Sequence, residues 1–319
     1  MKKAAQPDRD PLRGVIVAAI TPRRRHETSI DLGAMFELLD FLGCSGADAI
    51  ALLGSTGEFV HFSLDERRHL TALAAKRSRL PLLVNVSHST LDGAVELACE
   101  AASSGVAGLL LMPPYYFRYS QQAIRKFYLD FAEQTRRELP IYLYNIPCFT
   151  NEIEISTAIS LLETGLFTGI KDSSGSWDYF LRLREHATNN PYSFLVGDDR
   201  LFARARAMGA HGVVSGVACA VPELMVAIES AVTAAAPDRQ RIENLDLRVR
   251  EFAERIAPFP APMGIMEAAR SRGIRAGATA IDLSGEERER MEQFISWFAP
   301  WLAAVRDECA IGTGRSRGR

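Results

Sequence analysis

The 319-residue chain lacks a long apolar run, a paired-cysteine motif and an excess of charge of either sign. No segment is long and apolar enough to span a bilayer. The first residues, Met1-Lys2-Lys3, start positive but run into Pro7-Asp8-Arg9-Asp10 instead of an apolar signal core, so the cytoplasm is the expected compartment and no membrane partner is expected. A formal net charge of −2 argues against a nucleic-acid surface, and the basic clusters Arg23-Arg24-Arg25 and Arg315 to Arg319 read as a solvated loop and end. The five cysteines, Cys44, Cys99, Cys148, Cys219 and Cys309, are odd in number and hold no C-x-x-C pair, which excludes a disulfide framework or zinc cluster of ordinary spacing. They read as reduced thiols, mostly small core fillers; Cys148 has no histidine beside it in sequence and reads as packing or pocket lining. The six histidines show no H-E-x-x-H spacing, so no metal site is expected. No G-x-G-x-x-G follows the first strand candidate, which weighs against a dinucleotide-binding domain.

What the chain does have is alternation. Apolar strand-like runs at Gly14 to Thr21, Asp48 to Gly54, Pro81 to Val86, Gly108 to Met112, Ile141 to Ile146, Phe167 to Lys171, Tyr192 to Gly197 and His211 to Val217 are separated by amphipathic helical stretches. Helix starts are marked by the capping box Ser63-Leu64-Asp65-Glu66, by Ser120, and by Ser156 and Asp199 as further cap candidates. Repeated βα units in this number predict a (β/α)₈ barrel, with a doubly wound open sheet as the competing α/β architecture. Beyond the eighth strand only helical patterns remain, at about Pro222 to Ala235, Asp238 to Ala257, Pro262 to Arg272 and Ser284 to Val305. The expected organisation is a catalytic barrel over 1–225, a C-terminal helical extension over 226–307 and a disordered basic tail over 308–319.

In such a barrel chemistry sits at the C-terminal ends of the strands. Lys171 closes the run Phe167-Thr168-Gly169-Ile170-Lys171, where desolvation disfavours the ammonium form and frees an amine to attack a carbonyl; taken alone, a strand-end lysine more often snorkels to solvent. Gly54-Ser55-Thr56-Gly57-Glu58 can offer hydroxyls and backbone N–H groups to a carboxylate, or simply form a polar turn. In Tyr142-Leu143-Tyr144-Asn145-Ile146-Pro147 the two tyrosines share a face, with Tyr144 nearer the mouth as acid/base, or as an aromatic filling the barrel. Pro113-Pro114-Tyr115-Tyr116-Phe117 is an aromatic loop that closes a pocket or meets a neighbouring subunit. His88, in Ser87-His88-Ser89, either meets a substrate hydroxyl or is satisfied by backbone.

Together these motifs, with Gly169-Ile170-Lys171-Asp172, Gly197-Asp198-Asp199 and Gly212-Val213-Val214-Ser215, resemble the dihydrodipicolinate synthase / N-acetylneuraminate lyase family of pyruvate-type class I aldolases. The resemblance runs from Gly14 through Val221 and, more weakly, the helical tail. It implies that Lys171 forms a Schiff base with a 2-oxo acid and that Tyr144 shuttles protons. It further implies that Ser55 and Thr56 hold the substrate carboxylate, with Ser55 relaying protons between Tyr144 and the Tyr116 of a neighbouring subunit. Gly197 and Val214 would line the pocket through backbone carbonyls. Family members are commonly tetramers built as dimers of dimers, and no metal or organic cofactor is implied.

One departure bears on substrate. The lysine-pathway synthases carry an arginine after their Tyr-Asn-x-Pro motif that grips the second substrate's carboxylate, whereas Cys148-Phe149-Thr150 stands here, and Phe149 cannot make a bidentate carboxylate contact. Ser55 also replaces the threonine usual in those synthases. The expected function is therefore an aldolase or hydro-lyase acting on pyruvate or a 2-oxo-3-deoxy sugar acid, with Phe149 in its distal pocket. The alternatives are a dihydrodipicolinate synthase of lysine biosynthesis, a non-catalytic 2-oxo-acid-binding regulator of the same fold, a scaffold that uses the aromatic loop for association, and a metal-dependent class II aldolase.

Overall fold

The computed structural model describes residues 11–24, 29–136, 138–187 and 192–310. Eight parallel strands form a closed barrel in sequence order: β1 Gly14–Ala18, β2 Ala49–Leu52, β3 Leu82–Asn85, β4 Gly108–Leu111, β5 Ile141–Asn145, β6 Gly169–Asp172, β7 Ser193–Val196 and β8 Gly212–Ser215. β1 pairs with both β2 and β8, which closes the ring and rules out the open sheet. Between strands run α1 Leu32–Gly43, α2 Leu64–Arg77, α3 Leu91–Ser103, α4 Gln121–Gln134, α5 Ile155–Leu162, α6 Trp177–Ala187 and α7 Phe202–Ala207. After β8 come α8 Val217–Ala220, α9 Pro222–Val232, α10 Arg239–Ile256, α11 Met263–Ser271 and α12 Gly285–Ala310. The strands are buried almost throughout, as expected where helices cover the outside and side chains fill the inside. At the bottom of the barrel the Tyr142 hydroxyl accepts a hydrogen bond from Leu12 N–H, 2.9 Å.

The helix starts follow short-range chemistry. Ser63 and Glu66 complete the capping box of α2, and the Ser120 hydroxyl accepts from Ala123 N–H at the start of α4. Two expected caps are corrected. α5 begins at Ile155 behind Glu154, so Ser156 lies inside the helix. Asp198, one residue earlier than expected, caps the 3₁₀ turn Asp199–Leu201, because the Asp199 side chain is turned inward toward β8. Seven of the eight apolar runs overshoot the C-terminal end of their strand, as at β8, which ends at Ser215 with Val217 opening α8; the run closing at Lys171 stops one residue short, because β6 extends to Asp172.

The C-terminal helices are held by an aromatic cluster in which Phe252 of α10 meets Phe294, Phe298 and Trp301 of α12. The Trp301 indole N–H also reaches Glu251 at 2.8 Å. α9 continues unbroken through residue 225, and α12 runs to Ala310, so residues 308–310 are helical; 311–319, with the expected basic tail, lie outside the described residues, as do Arg25 and 1–10. The cysteine expectation is also corrected: Cys219 and Cys309 are buried, but Cys44, Cys99 and Cys148 are exposed, on helix ends, outer faces and the mouth loop. Among the described residues no helix is long and apolar enough to cross a membrane.

Candidate active site

β5 and β6 pair in a register that sets Tyr144 opposite Lys171. Cross-ladder partners project to the same face, so phenol and amine leave the barrel side by side. Tyr144 is fully buried and Lys171 is 4% exposed. The Lys171 Nζ lies 3.9 Å from the centre of the Tyr144 ring, a contact that holds the amine in a defined place. The Tyr144 hydroxyl is 3.0 Å from Ser55 Oγ, and either oxygen can donate. Lys171, Tyr144 and Ser55 therefore form one contiguous set drawn from three strand exits.

The turn that presents Ser55 is held in a costly backbone shape. Leu53 (φ 56°) and Glu58 (φ 50°) both occupy the left-handed region, which residues with a Cβ adopt only when their surroundings fix them. The Leu53 carbonyl is fixed by the Asn85 amide, 2.7 Å away. Thr56, half-buried beside Ser55, has its hydroxyl directed toward the exit of β8, where it would lie 3.6 Å from a Cβ placed on Gly216.

Gly197 follows β7, and its N–H donates to the Asp172 carbonyl at 2.7 Å. A Cβ there would stand 1.9 Å from Ser173 Oγ and 2.9 Å from Lys171 Cε, so glycine is what leaves room for the lysine stem. Val214, buried in β8, pairs with Ile16. Asp199 was read from sequence as a helix cap, yet it is a buried carboxyl whose Oδ2 accepts from Val217 N–H at 3.3 Å. Burial lifts it to about 6, opposed by hydrogen bonds from the Ser215 hydroxyl and Val217 N–H and by the nearby Lys171 charge.

The rim is braced by asparagines. Asn145 donates to Asp172 Oδ1 (2.8 Å) and accepts from Ile153 N–H (3.0 Å), tying β5 to β6 and to the loop that carries Phe149. Asn151 donates to the carbonyls of Pro114 (2.7 Å) and Phe117 (2.8 Å), pinning the aromatic loop. Tyr115 turns inward, edge-on to Phe59 with centroids 5.7 Å apart. Tyr116 turns outward with φ 82° and is 89% exposed. Phe149 is 60% exposed at the rim. The His88 Nδ1 accepts from Thr90 N–H at 3.1 Å, the backbone-satisfied of its two readings. Sequence reasoning passed over Asp199 as a site residue, and Asn85 and Arg67 altogether. The usable signal for Asp199 was a second acidic residue immediately beyond an apolar run at the barrel mouth.

Comparison with known proteins agrees with this fold. Residues 11–296 match the model of the Dihydrodipicolinate synthetase family. A 4-hydroxy-tetrahydrodipicolinate synthase of Aromatoleum aromaticum is 30% identical over 287 residues, covering 86% of this chain and 95% of the relative. The solved 4-hydroxy-tetrahydrodipicolinate synthase of Methylacidiphilum fumariolicum SolV superposes with a TM-score of 0.83 at 27% identity, over 93% of this chain and 99% of that one. A 2-keto 3-deoxygluconate aldolase from Picrophilus torridus shares the fold, with a TM-score of 0.78 at 24% identity over 85% of this chain and 99% of that one. A closed barrel with an amine, a phenol and a hydroxyl in contact at its mouth, matched by one family over nearly its whole length, makes this chain a member of the dihydrodipicolinate synthetase family of class I, Schiff-base aldolases and lyases.

Proposed function

We propose that the enzyme is an aldolase or hydro-lyase that binds pyruvate or a 2-oxo-3-deoxy sugar acid as a Schiff base on Lys171. The observation that carries this reading is the contact series Lys171 Nζ, Tyr144 ring and hydroxyl, Ser55 Oγ. The amine attacks the C2 carbonyl, the carbinolamine loses water, and the resulting iminium draws electrons from the neighbouring bond to give an enamine. Tyr144 moves the protons of these steps. Ser55 and Thr56 receive the substrate carboxylate, Gly197 and Val214 line the pocket through their carbonyls, and Phe149 faces the distal part of the substrate. Tyr116, too exposed to act in its own chain, completes the relay in a neighbouring copy of a dimer of dimers. A cytoplasmic location belongs to the same proposal.

A second reading, dihydrodipicolinate synthase, is favoured by the names of the similar proteins. Phe149 speaks against it, because an apolar ring cannot grip a second carboxylate. Intact-mass measurement and peptide mapping after incubation with pyruvate and borohydride test the common core. A single pyruvyl adduct on Lys171, absent in Lys171→Ala, is expected. No adduct from pyruvate or from a 2-oxo-3-deoxy sugar acid, or normal turnover by Lys171→Ala, would overturn the proposal, and binding without an adduct would support a regulator. Cleavage of 2-oxo-3-deoxy sugar acids against condensation of pyruvate with a carboxylate-bearing aldehyde then separates the two enzyme readings.

A further inference from the structure

Arg67 of α2 is 2% exposed and heads the fully buried side chains by volume. A buried guanidinium is costly unless charge or hydrogen bonds offset it. Among the described residues no carboxylate does so: burial dominates its surroundings and lowers it to about 10. Its terminal nitrogen instead donates to two carbonyls, Asn85 at 3.1 Å and Ser87 at 3.0 Å. Its guanidinium carbon lies 4.9 Å from the centre of the Phe59 ring. An apolar side chain of similar volume would fill this place at lower cost, so the charged group calls for a reason beyond packing.

The reason lies in what the two carbonyls belong to. Asn85 donates to the carbonyl of Leu53, the left-handed residue two positions before Ser55. The Ser87 hydroxyl donates to Asn85 Oδ1 at 2.6 Å and accepts from Met112 N–H at 2.7 Å, at the exit of β4 just ahead of the aromatic loop. Phe59, under the guanidinium, meets Tyr115 edge-on. One buried network thus joins the exits of β2, β3 and β4. Its two outer ends carry Ser55 and Tyr116, both on backbone whose left-handed residues must be held in place.

We propose that Arg67, acting through Asn85, Ser87 and Phe59, is a positioning residue that sets Ser55 against Tyr144 and aims Tyr116. This inference rests on the Schiff-base reading above and adds to it a device for aligning the proton relay. Formation of the imine needs Lys171, which is outside the network; a misaligned relay slows the loss of water from the carbinolamine but still lets the trapped adduct accumulate to its end point. Loss of a C3 proton from the pyruvate imine, to give the enamine, and uptake of a deuteron from solvent need the relay.

Pyruvate alone is therefore a sufficient probe, with two readouts on the full-length protein: the borohydride-trapped adduct on Lys171, and exchange of the pyruvate methyl protons in D₂O followed by NMR. In Arg67→Met the adduct is expected to form while exchange falls on the order of 10–100-fold, the scale of a misplaced catalytic group. Arg67→Lys, which keeps a donor and the charge, recovers part of that loss. The effect of Arg67→Met should vanish in a Ser55→Ala background, because residues acting through one path are not additive. Ser87→Ala, a gentler cut of the same network, should show the same split and serves if Arg67→Met does not fold. Wild-type exchange in a folded Arg67→Met or Ser87→Ala protein would overturn the proposal, as would an equal fall with and without Ser55. Absence of the adduct in the wild-type protein, with pyruvate and with a 2-oxo-3-deoxy sugar acid alike, would overturn the Schiff-base reading itself, and this inference with it.

Discussion

Replacing Gly197 with alanine probes how tightly Lys171, the proposed nucleophile, is confined. The residue cannot retreat, because its N–H is bonded to the Asp172 carbonyl of the adjacent strand. The added methyl would lie 1.9 Å from Ser173 Oγ, 3.0 Å from Ser173 Cβ and 2.9 Å from Lys171 Cε. Ser173 can rotate its hydroxyl away, but the lysine stem has to shift by about half an ångström to reach ordinary van der Waals separation, and its Nζ then leaves its place over Tyr144. Overpacking of this kind destabilises by about 1–3 kcal/mol, and a displaced nucleophile costs on the order of 100-fold in rate. The assay is the rate of borohydride-trapped adduct formation at saturating pyruvate, alongside denaturant unfolding. In Gly197→Ala/Ser173→Gly the stability should return while capture stays slow. Trapping by Gly197→Ala at the wild-type rate would refute the argument, and full recovery in the double variant would move the constraint from Lys171 to Ser173.

Tyr144→Phe keeps the ring beside Lys171 but removes the hydroxyl bonded to Ser55, so it should still bind pyruvate while turnover falls roughly 10²–10⁴-fold; wild-type rates of methyl-proton exchange would sink that assignment. Tyr116→Phe should lower turnover without changing the oligomeric mass measured by light scattering, whereas altered assembly with untouched turnover would reduce the aromatic loop to an association surface. Burial raises the Asp199 carboxyl from 3.8 to about 6, so the folded state binds this proton more tightly than the unfolded chain; the group's stabilising contribution is complete below 3.8 and is lost as pH rises through 6. Asp199→Asn should flatten that part of the profile by about 3 kcal/mol between roughly pH 4 and 7 in urea unfolding, and an unchanged profile would show that the pH dependence arises elsewhere.

The barrel was legible because strands buried on both faces read as unbroken apolar runs, and all eight lie where those runs fall. Their ends were not: the run closing at Lys171 stops one residue short of the end of β6, and the seven overshoots share a cause. Leu53, Ile146 and Val217 are as buried as the strands they follow, because the mouth loops fold over the barrel, so apolar character persists after the last ladder hydrogen bond. Helix starts were legible where a hydroxyl caps its own first turn, as at Ser63 and Ser120, and misread at Ser156 and Asp199, where the local pattern is equally good one or two residues out of place.

The same division between local and non-local information runs through the site. Lys171 and Tyr144 stand out as polar ends of apolar strands, and the barrel register then sets them side by side. Arg67 sits within Leu64-Asp65-Glu66-Arg67-Arg68-His69, where a charged residue by default faces water. Yet the buried stripe of α2 is Arg67, Leu70, Thr71 and Ala74, the i, i+3, i+4, i+7 spacing of a core face. That pattern places Arg67 inside and leaves its neighbour Arg68 to pair with Glu96 on the surface, at 2.9 Å. What periodicity cannot supply is the partner. The Asn85 and Ser87 carbonyls that receive Arg67 come from the last residue of β3 and the segment just after it, 18 and 20 residues along the chain. A charged residue on a core stripe is thus a local sign that the chain needs a buried donor there. The strand exits it joins are fixed by the closed barrel.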